Sequence, residues 1–573
     1  MLHEITDEVK TNTIEAVNTK KRYEPISPDS GDWPVVALSR NRKKFIEEVV
    51  EDGITRIRKQ KTRKSQLIEE LELTLYKERM RIAQNRWKID PDDEIIFWEN
   101  IKSKLVAISS TVNDHNVTEE DILAEIVERY AEEIAGKFKR TSYRLARSLI
   151  TFWFARLLNA SRIKRFGSFW SNELTLQDKI HITGHVDQLR ELAKKGTIVM
   201  TPTHFSNLDP VLMGWVIHTL GLPPFVYAAD LNLFNIELYA YFMNSLGAFK
   251  VDRRKDNPIY QETLKSYAIN ALLKGCHTMF FPGGTRSRSG KIEKKLKLSL
   301  LGTAIEAQRI LFEREKGDSA RKIFIVPVAI NYNFVLEAPS LINEYLKQKG
   351  QERYYTENDE YSSSYKIIKF LFKFFTKGSD ISLSIGRAID LFGHYVDENG
   401  VSYDRYGRAI NTRDYFVTNG KIRQDPQRDL EYTQMLSERL VEEFHKINRV
   451  FASHLCAFTA FKILEKQHSK LDLFNLLRLP AEEQSIAYDD FKKAFIRLRE
   501  QVFKLHEEGK TGVAPHLYGD PDKVIEFGVS NIGIYHSKRP LIKTREGYII
   551  TQDLNALFYY HNRMDGYGLE KYI

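Results

Sequence analysis

Short apolar runs alternate with helix-like segments between about residue 180 and residue 390. Runs with strand character lie at 197–202, 225–229, 248–251, 277–282, 322–330 and 380–386. Segments with helical spacing of apolar residues lie between them, at 210–220, 234–246, 258–274 and 299–315. This alternation predicts an α/β fold with a mostly parallel sheet flanked by helices. In such sheets ligands bind beyond the carboxyl ends of the strands.

The pattern differs on both sides of this region. From about 38 to 140 apolar residues recur at helical spacing, as in Leu67, Leu71 and Leu75, and no strand signal is present. Residues 396–428 are polar and are predicted as loop, and helical patterns return from 429 to 508. The Gly/Pro-rich segment 509–522 is interpreted as a linker. We therefore predict an N-terminal helical region (1–175), an α/β domain (176–395) and a mainly helical C-terminal region (396–573).

Two segments combine basic and apolar residues in a way typical of helices that lie in a membrane interface. Segment 143–170 has an aromatic-rich apolar middle with arginines at both ends. In segment 366–377 four lysines share one helical face, apolar residues cover the rest, and no acidic residue occurs. A core helix with basic ends is the alternative for the first segment, and a core helix with one polar face for the second. The four lysines are Lys366, Lys369, Lys373 and Lys377.

Composition narrows the class of protein. No stretch of the 573 residues reaches the roughly eighteen uninterrupted apolar residues that a spanning helix needs. The acidic N-terminus MLHEITDEVK lacks the apolar segment of a signal peptide. Two cysteines exclude a disulfide framework and indicate a reduced, cytosol-facing chain. The net charge of +9 permits an anionic partner without selecting one.

A His and an Asp stand together in the predicted strand-to-helix turn after 197–202. His204 follows the strand, and Asp209 precedes Pro210, which favours the first turn of a helix. Asp209 is therefore expected at the N-cap, and capping alone would explain its presence. A His beside an Asp also supplies the two side chains of a general-base pair.

Two further strand ends carry basic residues. After strand 277–282, two glycines allow close approach of the backbone, and hydroxyl and cationic side chains follow, as in a phosphate cradle. The spacing does not fit a nucleotide-binding P-loop, because five residues separate Gly284 from Gly290 and Ile292 follows Lys291. The candidate phosphate-binding residues are Gly284, Thr285, Arg286, Ser287, Arg288 and Lys291 after this strand, and Arg253 and Arg254 after strand 248–251.

Four ordered blocks resemble the glycerol-3-phosphate/1-acylglycerol-3-phosphate acyltransferase superfamily. The first is the H-x4-D block His204–Asp209, and the second is the Arg-bearing block 247–254. The third is Phe281–Ser287, and the fourth is the strand 325–330 with Pro327 inside it. One position departs from the pattern: Gly283 stands where the family usually has Glu, so the resemblance implies no carboxylate at that position.

The resemblance implies roles for individual residues. His204 would be the general base and Asp209 its orienting partner, while Arg253 and Arg286 would hold the phosphate of the acceptor. Asn207, Arg254, Arg288, Lys291 and Pro327 are possible additional site residues. No metal and no organic cofactor is implied, because an acyl thioester, either acyl-CoA or acyl carrier protein, serves as co-substrate.

The long helical N-terminal region is similar to that of the glycerol-3-phosphate class, as is the C-terminal sequence FYYHNRM. Acylation of the sn-1 hydroxyl of glycerol 3-phosphate is therefore the leading hypothesis, with His204 as the base. Alternatives are acylation of 1-acylglycerol 3-phosphate or of another acceptor such as dihydroxyacetone phosphate. A non-catalytic membrane-surface scaffold is a further alternative. The implied location is peripheral, on the cytoplasmic face of a membrane with anionic lipids. We expect no nucleic-acid partner, because the basic residues cluster at strand ends and form no stripe.

Overall fold

The N-terminal part of the protein is helical. The computed structural model describes residues 23–87, 89–109, 117–143, 145, 180–231, 243, 247–315, 320–350 and 381–573. Within these described residues, five helices precede the first strand: α1 (Pro34–Arg40), α2 (Arg42–Gln60), α3 (Lys64–Asn85), α4 (Glu94–Ser109) and α5 (Glu119–Ile134). The apolar faces of α2 and α5 are buried, which is what the helical spacing of their apolar residues predicts.

A seven-stranded, mostly parallel sheet forms the centre of the fold, as predicted. Its strands are β1 (Ile180–Gly184), β2 (Thr197–Pro202), β3 (Val226–Asp230), β4 (Ala248–Val251), β5 (Thr278–Met279), β6 (Ile323–Tyr332) and β7 (Ile381–Ile385). Their order across the sheet is β1-β7-β6-β2-β5-β3-β4. Strands β2 to β6 run parallel, and β7 runs antiparallel to β6 and parallel to β1. Every residue of the central strands β2 and β6 is buried, as expected for strands covered on both faces.

Helices follow or precede these strands and cover the sheet. They are α6 (Val186–Lys195), α7 (Asp209–Thr219), α8 (Pro258–Leu273), α9 (Leu298–Arg314) and α10 (Ala338–Gly350). Helix α8 begins as its sequence predicts, because the Asn257 side chain accepts a hydrogen bond from the Tyr260 N–H at 2.8 Å and Pro258 occupies the first turn. Helix α8 packs between α2 and α9, which joins the N-terminal helices to the sheet.

The structure corrects several expectations from the sequence. Strand β1 was not predicted, and the strand expected at 277–282 is regular only at Thr278–Met279. Of the predicted helix 234–246 only Met243 is described, and of segment 143–170 only Tyr143 and Leu145. Segment 366–377 lies entirely outside the described residues, so both predicted interfacial helices stay predictions.

The C-terminal region is mainly helical. Its helices are α11 (Pro426–Ile447), α12 (Ala452–Gln467), α13 (Leu473–Leu476), α14 (Tyr488–Glu507), α15 (Pro521–Asn531) and α16 (Leu554–His561). The stretch 396–428, predicted as loop, contains short strands: β8 (Tyr395–Val396), β9 (Ser402–Tyr403), β10 (Ala409–Ile410), β11 (Val417–Thr418) and β12 (Lys421–Ile422). The remaining strands are β13 (Arg449–Val450), β14 (Ser485–Ala487), β15 (Gly512–Val513), β16 (Ile542–Lys543) and β17 (Tyr548–Ile550).

The segment 509–522 is part of the packed fold and does not act as the predicted linker. Strand β15 pairs with β13, and Leu517 is fully buried. One hydrophobic core contains residues of all three regions, from Val49 through Met200 to Leu455. The C-terminal region also bonds to the end of β6, since the Tyr560 hydroxyl accepts a hydrogen bond from the Val335 N–H at 2.9 Å. No helix among the described residues has the length and hydropathy needed to cross a bilayer.

Candidate active site

The turn between β2 and α7 brings His204 and Asp209 together. His204 Nδ1 lies 2.8 Å from Asp209 Oδ2. The Asp209 side chain is completely buried, while that of His204 is 14% exposed. Asp209 is not the N-cap that the sequence predicts, because α7 begins at Asp209 itself and Leu208 occupies the cap position without a side-chain hydrogen bond. The carboxylate thus points back into the turn and does not cap the helix.

Three further donors fix the Asp209 carboxylate. The N–H groups of Phe205 and Ser206 donate to Oδ2 at 2.7 and 2.9 Å, and the Tyr332 hydroxyl donates to Oδ1. Burial, reinforced by the neighbouring Asp209 and Glu337 charges, raises the pKa of Tyr332 above its ordinary value. The phenol therefore stays protonated at neutral pH and can act only as a donor to Asp209. This network holds the carboxylate in one orientation towards the imidazole.

The His204 ring is fixed on one side and open on the other. Its face stacks on Phe281 with ring centroids 4.1 Å apart, while Asp209 holds Nδ1. No described residue forms a hydrogen bond with Nε2. A carboxylate on Nδ1 selects the tautomer whose Nε2 carries the lone pair, so Nε2 can accept a proton from a substrate hydroxyl.

The loop after β5 lies directly against this turn. The Ser287 N–H donates to the His204 carbonyl at 2.8 Å, and the Ser287 hydroxyl donates to the Lys291 carbonyl. Gly284 has a φ of 81°, a conformation that only glycine adopts without strain, and its N–H closes a turn on the Phe281 carbonyl. The structure therefore joins the predicted phosphate loop to the predicted base.

Glu337, just after the end of β6, links the two loops. Its carboxylate accepts hydrogen bonds from the Asn207 N–H at 2.9 Å and the Ser206 hydroxyl at 3.1 Å. Arg286 Nη1 lies 3.5 Å from Glu337 Oε1, and the Arg286 side chain is 30% exposed. The loose ion pair orients Arg286 towards the turn and leaves most of its N–H donors for another ligand.

The two arginines after β4 have different surroundings. Arg253 is 45% exposed, and its Nε lies 3.2 Å from Asp230 Oδ2 at the same edge of the sheet. Arg254 is almost fully buried; it stacks on Trp87 at 3.8 Å and bonds to Asp252 and Asp90. The structure therefore leaves Arg253 accessible at the strand ends, whereas Arg254 ties β4 to the N-terminal helices.

The other predicted site residues lie around the loop after β5 or within the sheet. Arg288 pairs with Glu344 on α10 at 3.0 Å, and Lys291 pairs with Asp565 at 3.1 Å. Thr285 is half-buried beside Arg286. Pro327 is buried in β6 opposite Thr201 of β2, where its missing N–H leaves the sheet intact.

The C-terminal end of the chain forms the back wall of the site, which the sequence did not predict. The Arg563 guanidinium stacks on Phe205 at 3.8 Å and donates to the Ile330 carbonyl at 2.8 Å. Burial lowers the pKa of Arg563 to about 10, so it remains charged at neutral pH. The Asn562 amide donates to the Ser289 carbonyl at 2.8 Å, which attaches this segment to the loop after β5.

Sequence reasoning missed three residues of this arrangement: Tyr332, Glu337 and Arg563. The rule that located His204 would have indicated Tyr332 and Glu337, because both stand at or just after the carboxyl end of β6. Arg563 lies within FYYHNRM, but the similarity of that segment to the glycerol-3-phosphate class did not indicate that Arg563 reaches this turn. Arg563 lies more than three hundred residues along the chain from the turn that it contacts.

Comparison with known proteins supports the assignment of the domain. Residues 183–331 match the family model described as Acyltransferase. The glycerol-3-phosphate acyltransferase of Pseudoalteromonas translucida is 28% identical over 262 residues, which are 45% of this chain and 28% of that protein. The protein of the same name from Aeromonas hydrophila is 30% identical over 226 residues, or 39% of this chain and 24% of that protein.

The glycerol-3-phosphate acyltransferase of Pseudomonas paraeruginosa is 26% identical over 239 residues, which are 42% of this chain and 25% of that protein. The chain thus spans about a quarter of the length of the curated relatives that it matches. The resemblance predicted from the four blocks is confirmed: residues 183–331 match the Acyltransferase family model, and the chain is similar in part to proteins named glycerol-3-phosphate acyltransferase.

Proposed function

We propose that this chain transfers a fatty acyl group from an acyl thioester to the sn-1 hydroxyl of glycerol 3-phosphate, which yields lysophosphatidate. The observation that carries the proposal is the His204–Asp209 pair, with Nδ1 held at 2.8 Å and Nε2 open beside an arginine-bearing loop. The names of the relatives point to the same reaction.

In the proposed mechanism His204 acts as the general base. Nε2 takes the proton of the acceptor hydroxyl as its oxygen attacks the thioester carbonyl, and Asp209 stabilises the imidazolium that forms. The tetrahedral intermediate then collapses, the carbon–sulfur bond breaks, and the imidazolium returns the proton to the departing thiolate. The hydroxyl attacks directly, so the reaction needs no enzyme nucleophile.

The phosphate of the acceptor would be held by the loop after β5. Arg286 carries a forked set of donors, and its one ion pair with a described residue is the loose contact to Glu337, so a phosphate can compete for it. Arg253, exposed at the end of β4, would add a second cation. Thr285 would contribute its hydroxyl. Gly284 and Ser287 would shape the loop, because their N–H groups and the Ser287 hydroxyl already donate to carbonyl groups of the protein. Holding the phosphate in place orients the acceptor hydroxyl towards His204 Nε2. The hydroxyl and the base then meet in a fixed geometry and not by random collision.

The product is a lipid, and this supports a peripheral position on the cytoplasmic face of a membrane. Segments 143–170 and 366–377 would supply the contact through lysines, arginines and apolar residues that bind anionic lipid.

The test is an acyl-transfer assay with the purified chain, run with two acceptors and two donors. The acceptors are glycerol 3-phosphate and 1-acylglycerol 3-phosphate, and the donors are palmitoyl-CoA and palmitoyl acyl carrier protein. We expect lysophosphatidate from glycerol 3-phosphate. Product only from 1-acylglycerol 3-phosphate would replace the proposed acceptor, and no transfer with any combination would contradict the proposed reaction.

A further inference from the structure

The absence of a side chain at position 283 is explained by a neighbouring side chain and not by the backbone conformation of Gly283. Gly284 adopts a φ of 81°, whereas Gly283 is not among the glycines with positive φ, so any L-residue could take its conformation. A Cβ built on Gly283 would lie 2.7 Å from Glu293 Oε1 and 2.9 Å from Glu293 Cδ. The carboxyl group of Glu293 therefore fills the space that a side chain on residue 283 would enter.

The shape of the loop after β5 explains how a residue ten positions later reaches this space. The Lys297 N–H donates to the Pro282 carbonyl at 2.8 Å, which closes the segment 282–297 on itself. Lys297 also covers Gly284, since a Cβ there would meet Lys297 Cγ at 2.9 Å. Glu293 thus returns from the far arm of the loop to the glycine pair.

The surroundings of the Glu293 carboxyl tie it to the candidate site. Burial, with a smaller contribution from the Asp209 charge, raises the pKa of Glu293 to about 7, and Arg563 acts in the opposite direction. Near neutrality such a carboxyl can both donate and accept hydrogen bonds. A group that only filled space would not need this chemistry, because an apolar side chain would pack at lower desolvation cost.

We propose that Glu293 supplies the carboxyl group of the phosphate-binding loop, in the space left by Gly283, and positions this loop for the phosphorylated acceptor. This inference rests on the proposed function. Glu293 acts through the loop and is a positioning residue. The family usually places a carboxyl here with a Glu at the position of Gly283. In this chain Glu293 would place a carboxyl in the same space.

The experiment moves the carboxyl between the two positions and measures kcat and KM separately for glycerol 3-phosphate and palmitoyl-CoA. Glu293→Gly should lower kcat/KM for glycerol 3-phosphate at least tenfold while KM for the acyl donor stays unchanged. Gly283→Glu alone should also lose at least tenfold, because two carboxyl groups would then compete for the same space and repel each other. The double variant Gly283→Glu/Glu293→Gly should be at least fivefold more active than either single variant.

Three controls separate a positioning role from simple packing. Gly283→Leu/Glu293→Gly fills the same space without a carboxyl and should not recover activity. Glu526→Gln changes an exposed glutamate on α15, and Gly302→Ala adds a Cβ on α9 that meets nothing closer than 3.5 Å. Both should retain wild-type kinetics, and thermal unfolding of every variant reports folding.

An active wild-type protein whose Glu293→Gly variant keeps full kcat/KM would overturn this inference alone. The inference would also be overturned if Gly283→Glu/Glu293→Gly recovered no more kcat/KM than Gly283→Leu/Glu293→Gly does. A wild-type protein without acyl transfer would overturn the proposed function and this inference with it.

Discussion

Two His–Asp pairs among the described residues look alike locally. His204 Nδ1 lies 2.8 Å from Asp209, and His394 Nδ1 lies 3.1 Å from Asp390. Both carboxylates are buried, and each also accepts two backbone N–H bonds from its own turn. A short His–Asp contact is therefore not sufficient to identify a catalytic base in this protein.

The two pairs differ in what faces the second ring nitrogen. His394 Nε2 lies 3.4 Å from the Tyr415 hydroxyl, whereas His204 Nε2 has no hydrogen-bond partner in the part of the chain that the structure describes. They also lie at opposite edges of the sheet. Strand β7 runs antiparallel to β6, and the residues after it approach Ile325 in the first half of β6. The candidate site therefore differs from the His394 pair in two ways: His204 Nε2 is open, and neighbouring strand ends carry arginines. Both differences follow from the position of each pair relative to the strands of the sheet.

The largest expected difference between the two His–Asp pairs appears when Asp209 and Asp390 are each replaced by Asn, which removes the negative charge. Asp209→Asn should lower kcat by about 10³–10⁴, because the amide no longer selects the productive His204 tautomer or stabilises its protonated form. Asp390→Asn should leave kcat within about twofold of wild type. Steady-state kinetics on both variants, with circular dichroism as the folding check, make the comparison. Equal losses would mean that the pair at Asp209 has no special role.

Arg286 provides the next contrast. Arg286→Ala should raise KM for glycerol 3-phosphate about tenfold or more, since a hydrogen bond to a charged group contributes about 1.5–3 kcal/mol. The donor KM should not change. Arg408→Ala is the control, because Arg408 is an exposed arginine whose contacts are local, an ion pair with Asp404 and a position over the Tyr406 ring. A change confined to the donor KM would remove Arg286 from the phosphate site.

An effect on membrane binding, not on kcat or KM, is expected at the predicted membrane contact. Replacing Lys366, Lys369, Lys373 and Lys377 by Gln should reduce sedimentation with vesicles of phosphatidylserine and phosphatidylcholine, because each lysine near an anionic surface contributes about 1 kcal/mol. Binding to pure phosphatidylcholine vesicles should hardly change. Unaltered binding to the anionic vesicles would exclude this segment as the contact.

The smallest predicted effect concerns stability at His394. The hydrogen bond with Asp390 raises the pKa of His394 above its ordinary value, so the folded state binds the proton more tightly than the unfolded state does. The stabilisation is complete below about pH 6.5, the ordinary histidine value. It is lost as the pH rises through the folded-state pKa. Urea unfolding of wild type and His394→Asn across this range should show a gap that narrows with rising pH, and a constant gap would refute the linkage.

Much of the sheet could be predicted because its strands are short apolar runs between clear helix signals. The exception is β1, Ile180–Gly184, where polar His181 and Thr183 interrupt the run. The cap at Asp209 was mispredicted for a physical reason. The same Asx-Pro signal gives a side-chain cap at Asn257, Asp425 and Asp520, but at Asp209 the carboxylate turns towards two N–H groups of its own turn, His204 and Tyr332.

The contacts that complete the candidate site could not be predicted because they join distant parts of the chain. Arg563 packs on Phe205, and Glu337 bridges Asn207 and Arg286, but neither pairing leaves a periodic trace in the sequence. Gly283 could be identified as a departure from the family pattern. Its compensation by Glu293 depends on how the loop closes, which only the fold determines.

The most direct test of the central claim compares His204→Ala with His394→Ala in acylation of glycerol 3-phosphate by a long-chain acyl thioester. We predict that wild type and His394→Ala form lysophosphatidate at similar rates. His204→Ala should lose about three orders of magnitude or more in kcat while it stays folded. Near-normal turnover by His204→Ala, or equal losses in the two variants, would contradict the assignment of His204 as the base.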